Sequence, residues 1–178
     1  DEERALDRSV LLRGVREADV LLSLLTEQVD RELLEANPGL LGVANHAVGF
    51  DNVDVAVATE LGIPVSNTPG VLTEATADLT WALLLAVARR IVESDAYVRK
   101  NKFNIWSPNL LLGADVGTGP VGHKKVLGIV GFGRIGQAVA RRAAGFDMEV
   151  LAHDPSHRDR VEAFPGVRWS DLDELLEI

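Results

Sequence analysis

Two hydrophobic periods alternate along this chain. Arg4 to Val15 repeats apolar positions at helical spacing, whereas Asp19-Val20-Leu21-Leu22-Ser23-Leu24-Leu25 is a nearly continuous apolar run that predicts a buried strand. A helix over Val29 to Asn37 is broken at Pro38-Gly39, and Leu40 to Ala44 reads as a second strand. A further helix from about Asn52 to Glu60 stops at Gly62, and Ile63-Pro64-Val65-Ser66 is a short third strand. Strand alternating with helix predicts a parallel sheet with helices on its faces.

The next segment changes character. Thr73 is a good N-cap, and Glu74 to about Lys100 contains neither Gly nor Pro, which predicts one long helix. Its middle, Trp81 to Ala88, is apolar all round, so the helix is expected to be buried on most sides, between two domains. Residues 101–125 are irregular, with Pro108, Gly113, Gly117, Gly119, Pro120 and Gly122 breaking any period. Phe103, Ile105, Trp106 and Leu110-Leu111-Leu112 are too apolar for a solvated linker, and this loop is expected to pack on something outside its own domain.

The most informative run begins at Lys125. The apolar strand Val126-Leu127-Gly128-Ile129-Val130 enters Gly131-Phe132-Gly133-Arg134-Ile135-Gly136, a helix follows to about Gly145, and a second strand, Met148 to His153, ends on Asp154. This is the pattern of a dinucleotide-binding unit. Gly131 suits a tight turn, Gly133 lets the backbone approach a pyrophosphate, and Gly136 lets helix and strand pack closely. The helix aims its free N–H groups and positive dipole end at the phosphates. Asp154 stands about 20 residues on, where a carboxylate accepts hydrogen bonds from the adenosine ribose. A short helix near Asp159 to Phe164, a strand at Val167-Arg168-Trp169 and a helix capped by Ser170 complete the chain.

Composition narrows the partners. The chain has 178 residues and a net charge of −9, so no basic stripe is available for nucleic acid or an anionic membrane surface, and neither is expected as a partner. There are no cysteines, which excludes disulfides, thiolate metal sites and a cysteine nucleophile and fits a cytoplasmic location. The apolar stretch Leu79 to Ala88 falls well short of the roughly 20 residues that span a bilayer. The four histidines have no metal-ligand spacing, so no metal is expected.

Taken in order, Leu21-Leu22-Ser23-Leu24-Leu25-Thr26, Asn45-His46-Ala47-Val48-Gly49-Phe50-Asp51-Asn52-Val53-Asp54, Gly62-Ile63-Pro64-Val65-Ser66-Asn67-Thr68-Pro69-Gly70, Thr73-Glu74-Ala75-Thr76-Ala77-Asp78-Leu79-Thr80 and the glycine loop resemble the D-isomer-specific 2-hydroxyacid dehydrogenase family, most closely its glyoxylate/hydroxypyruvate reductase branch. The resemblance implies an α/β fold, with a flavodoxin-like substrate domain joined by a long helix to an incomplete Rossmann-type dinucleotide-binding domain. It implies a substrate domain over 1–72, an interdomain helix over 73–100, a dimerisation loop over 101–125 and an NAD-binding domain over 126–178. Val48 and Gly49 then lie at the substrate carboxylate, where free N–H groups form an anion nest aided by the helix that follows. Leu24 and Leu25 wall the pocket. Thr76 meets the nicotinamide end of the cofactor, and Arg134 and Ile135 contact the pyrophosphate.

The implied reaction is hydride transfer between NAD(P)H and glyoxylate, hydroxypyruvate or a similar 2-oxoacid. NAD is expected over NADP because Asp154 would repel a 2′-phosphate, although Arg158 nearby is a cation that could pair with one. In the family a histidine supplies the proton, a glutamate orients it and an arginine binds substrate; no catalytic residue is assigned here, and the chain is expected to be a piece of an enzyme with those groups beyond Ile178. Phosphoglycerate dehydrogenase and a dinucleotide-sensing corepressor-like module of the same fold are the alternatives.

Overall fold

The computed structural model describes residues 6–119 and 122–178, and the chain divides into two compact units, Asp1–Leu72 and Thr73–Ile178. The first unit contains α1 (Arg8–Arg16), β1 (Val20–Ser23), α2 (Arg31–Glu35), β2 (Gly42–Asn45), α3 (Val55–Glu60) and β3 (Val65–Ser66). Its three strands are parallel in the order β1-β2-β3, with Val20 opposite Gly42 and Val43 opposite Val65. Arg4, the expected start of the first helix, lies outside the described residues.

Local chemistry sets the helix starts. The Asp30 carboxylate accepts the Leu33 N–H at 3.1 Å and caps α2, and Asp54 accepts the Val57 N–H at 3.0 Å and caps α3; each such cap contributes about 1 kcal/mol. The core gathers Val15, Leu21, Val29, Leu33, Leu34, Val43 and Val57. Two expectations need correction. The run through β1 is not buried on both faces: Leu21 and Ser23 point inward, while Val20 and Leu22 are exposed. The helix expected from Asn52 begins only at Val55, because Asn52 and Val53 are committed elsewhere, Asn52 to a buried amide cluster and Val53 to a bridge with Val29.

The second unit contains α4 (Thr73–Ala88), α5 (Ile91–Arg99), β4 (Val126–Val130), α6 (Arg134–Ala143), β5 (Glu149–His153), α7 (Arg158–Glu162), β6 (Val167–Trp169) and α8 (Leu172–Glu177). Its sheet is again parallel, in the order β4-β5-β6. The central strand β5 buries Val150, Leu151 and Ala152, whereas the edge strand β4 buries only Ile129 and leaves Val126 and Val130 exposed, again less than two-sided burial. Helix α4 packs on α6 through Trp81, which stacks on Phe146 with ring centroids 4.4 Å apart and donates its indole N–H to the Val139 carbonyl at 3.1 Å. Arg142 and Arg141 add ion pairs to Glu74, and Arg142 a further one to Asp78.

The single helix expected from 74 to 100 is two helices. Arg90 takes a left-handed conformation, φ 52° and ψ 39°, between α4 and α5. The cause lies far along the chain: the Ala114 N–H takes the Ala88 carbonyl at 2.7 Å, and Gly113 passes so close to that oxygen that a Cβ there would collide with it. Nor is α4 buried on most sides. Ala77 and Trp81 are buried, but Leu79, Leu83 and Val87 form an exposed stripe.

The loop after α5 divides. Its latter part packs on its own unit, with Arg89 paired to Asp115 at 3.2 Å, Val116 against the core and Lys124 paired to Asp147 at 2.6 Å. Phe103, Ile105, Trp106 and Leu112 remain exposed. Pro120 lies outside the described residues. Helix α8 starts after Asp171 rather than on a Ser170 cap, because the Ser170 hydroxyl donates to the Asp171 carbonyl and so caps no N–H. No helix among the described residues is long and apolar enough to cross a membrane.

Candidate functional site

The glycine loop between β4 and α6 assigns a separate reason to each of its glycines. Gly131 has φ +89°, a conformation that costs an L side chain about 1–2 kcal/mol. A Cβ at Gly136 would run into the Gly131 carbonyl oxygen and touch Ile129, so the helix can approach the strand only without one. Gly133 is different: its φ is ordinary and a Cβ would meet nothing of this chain within 4 Å. It is the N-cap of α6, where glycine is favoured, but no contact within the chain demands it, which leaves the outward face of the loop free for close approach by a ligand.

The same loop opens α6. No side chain caps that helix, and Arg134, its first residue, is exposed with no ion pair among the described residues; Ile135 beside it is also exposed. A ten-residue helix with uncapped first-turn N–H groups and a free guanidinium is suited to an anion.

Asp154 follows β5, 9% exposed. One carboxylate oxygen accepts the Phe132 N–H at 2.9 Å; the other accepts the Ser156 N–H at 3.0 Å and faces His157 Nδ1 at 3.3 Å. These contacts, the Phe132 N–H foremost, outweigh desolvation and hold the carboxyl below the usual carboxylate range. The acid therefore ties the glycine loop to the end of β5. Arg158 turns elsewhere, with its guanidinium 4.0 Å from the centre of the Trp169 ring and paired to Glu162 at 2.7 Å.

Thr76 lies in the first turn of α4, half-buried, and its hydroxyl has no hydrogen bond among the described residues. In the first unit, Leu24 and Leu25 are exposed just beyond β1, and Val48 and Gly49 are exposed just beyond β2. The Val48 and Gly49 N–H groups meet no protein acceptor among the described residues. The expected help from a following helix dipole is absent, since α3 has six residues, begins at Val55 and is already capped by Asp54. His46 and His123 are exposed, His153 Nδ1 faces the Ser170 carbonyl at 3.0 Å, and no group of metal-ligating side chains forms among the described residues.

Sequence reasoning gave no role to Ser23, Asn45 and Asn52, which are 0%, 2% and 7% exposed and hydrogen-bond to one another where β1 and β2 end. The available signal was polar residues closing otherwise apolar strands.

Comparison with known proteins gives two family matches. Residues 1–118 match the D-isomer specific 2-hydroxyacid dehydrogenase catalytic domain and residues 81–178 the NAD binding domain of the same family. The chain is 50% identical over 177 residues to a glyoxylate reductase of Korarchaeum cryptofilum and 46% identical over 181 residues to one of Thermococcus onnurineus; in each case 99% of this chain and 52% of the relative are covered. A crystal structure of the TT0316 protein of Thermus thermophilus superposes with a TM-score of 0.86 at 45% identity, covering 97% of this chain and 52% of that one. The chain thus spans about half the length of the relatives it matches.

Proposed function

The chain belongs to the D-isomer specific 2-hydroxyacid dehydrogenase family, and on that premise we propose that the protein interconverts a small 2-oxoacid and its D-2-hydroxyacid with NAD(H), glyoxylate and hydroxypyruvate foremost. The observation that carries the reading is the pair of outward, unpartnered N–H groups at Val48 and Gly49, in a chain whose other unit carries the dinucleotide loop. When bound, the reduced nicotinamide supplies a hydride to the carbonyl carbon, and the carbonyl oxygen takes a proton.

In this reading residues 1–72 bind substrate. The Val48 and Gly49 N–H groups hold its carboxylate, and Leu25 forms an apolar wall. On the cofactor side, Gly131 and Gly136 shape the loop, Gly133 admits the pyrophosphate, and Arg134 and the Ile135 backbone contact it. Asp154 reads the ribose and Thr76 meets the nicotinamide end. The preference is for NAD over NADP, because Asp154 keeps its negative charge while Arg158 is engaged with Trp169 and Glu162. The protein works in the cytoplasm, as a homodimer through residues 101–125, whose Trp106 is 73% exposed.

The test uses the intact natural protein and follows NADH oxidation with glyoxylate, hydroxypyruvate, pyruvate and phosphohydroxypyruvate. The highest kcat/KM is expected for glyoxylate or hydroxypyruvate. Absence of turnover with all four overturns the reading.

A further inference from the structure

Three successive carbonyls beyond β2 are each held by a donor. The Thr68 N–H donates to the Ala47 carbonyl at 2.9 Å, Asn67 Nδ2 to the Val48 carbonyl at 2.9 Å and Asn45 Nδ2 to the Gly49 carbonyl at 2.8 Å. A trans peptide points its N–H opposite to its C=O, and there is no cis bond among the described residues. Holding the Ala47, Val48 and Gly49 carbonyls therefore aims the N–H groups of Val48, Gly49 and Phe50 away from those donors. None of the three N–H groups has a protein acceptor among the described residues.

Asn45 is itself held. Its Oδ1 accepts the Ser23 hydroxyl at 2.9 Å and Asn52 Nδ2 at 3.2 Å, while its Nδ2 also reaches Asn52 Oδ1 at 3.3 Å. The two hydrogens of Asn52 Nδ2 are shared with the Leu24 and Glu27 carbonyls, at 3.0 and 3.1 Å, as well as with Asn45, which ties the loop after β1 to the loop after β2. Burying three polar side chains is costly unless each is satisfied, and apolar residues of similar size would pack there with less risk. What apolar residues cannot do is fix the rotation of the Gly49 peptide.

We infer that Asn45 and Asn67 are positioning residues for the substrate anion, that Ser23 and Asn52 lock Asn45, and that the Phe50 N–H is a third donor beside Val48 and Gly49. The inference rests on the reading that a 2-oxoacid carboxylate binds at Val48 and Gly49. A carboxylate keeps its charge throughout hydride transfer to the neighbouring carbon, so donors to it bind ground and transition states alike. Misaiming them raises KM and leaves kcat nearly unchanged.

Two substitutions test this in the intact protein. Asn67→Ala removes a half-buried amide and spares the core. Asn45→Asp keeps the side-chain shape but sets an oxygen against the Gly49 carbonyl. The expected result is a KM for glyoxylate or hydroxypyruvate raised about 10- to 100-fold, the size of losing a hydrogen bond to a charged group, with kcat and NADH affinity retained. An unmoved KM in Asn67→Ala and in folded Asn45→Asp overturns the inference; if Asn45→Asp does not fold, Asn67→Ala alone decides. Failure of the unsubstituted protein to turn over any 2-oxoacid overturns the 2-oxoacid reading itself, a result separate from an active protein whose KM the substitutions leave alone.

Discussion

Glycines 133 and 136 stand three residues apart and answer to different neighbours, so the same substitution separates ligand from fold. Gly136→Ala drives a methyl into the Gly131 carbonyl and is expected to destabilise the protein by about 1–3 kcal/mol. Gly133→Ala meets only open space and loses only a helix-capping preference, so denaturant unfolding should shift by no more than about 1 kcal/mol while NADH binding weakens; unchanged NADH affinity would remove the phosphate from that loop. Asp154 yields two further expectations. Replacing it with Ser should narrow the ratio of kcat/KM for NADH over NADPH, and an unmoved ratio means that it does not read the ribose. Its pKa is depressed in the folded state by the Phe132 and Ser156 N–H groups and His157. The stability it contributes is thus complete above its ordinary carboxylate pKa and is lost as pH falls through the lower folded value. Unfolding free energies of the natural protein and Asp154→Asn should therefore differ most near neutrality and converge in acid. The reasons for Gly131 and Gly136 were legible in the sequence, because a glycine run between an apolar strand and a helix implies a tight turn and close packing. The amide cluster was not, since nothing in Ser23, Asn45 or Asn52 by itself says which of their possible partners lies within hydrogen-bond reach.

Among the elements, α4 and α6 show which contacts matter. Trp81→Ala removes a buried ring, its stack on Phe146 and its bond to Val139, and is expected to cost about 3–5 kcal/mol in thermal or denaturant unfolding. Arg142→Ala breaks two ion pairs to well-exposed carboxylates, which are worth roughly 0–1 kcal/mol each. A loss with Arg142→Ala equal to that with Trp81→Ala would mean that charge rather than packing joins these helices. The six strands and the helix of the glycine loop were readable from periodicity and punctuation. The break at Arg89-Arg90 was not, because a stretch free of Gly and Pro carries no local stop signal; the chain is interrupted by Gly113 and Ala114, more than a helix length away. Exposure of β1, β4 and the Leu79-Leu83-Val87 stripe was misread for a related reason: an apolar run reports that a face seeks cover, not which part of the chain supplies it.

At the scale of the whole molecule, the second unit presents that stripe and the side chains of Phe103, Ile105, Trp106 and Leu112 to solvent. If residues 101–125 form the homodimer contact, Trp106→Glu should lower the mass measured by light scattering to that of a monomer and leave the stability of the chain within about 0.5 kcal/mol, since the side chain packs on little of its own fold. A species of unchanged mass would assign the association, if any, to another surface. Both sheets are parallel throughout, and this governs how the protein is born. A hairpin can close as soon as its turn is made, but Val20 must wait for Gly42 and Val126 for Glu149. About 20 residues separate each pair, which is about 1–4 s of ribosomal synthesis. During that interval the earlier strand has an open edge, so the rate of translation through the intervening helix sets how long each nascent chain carries an unpaired strand.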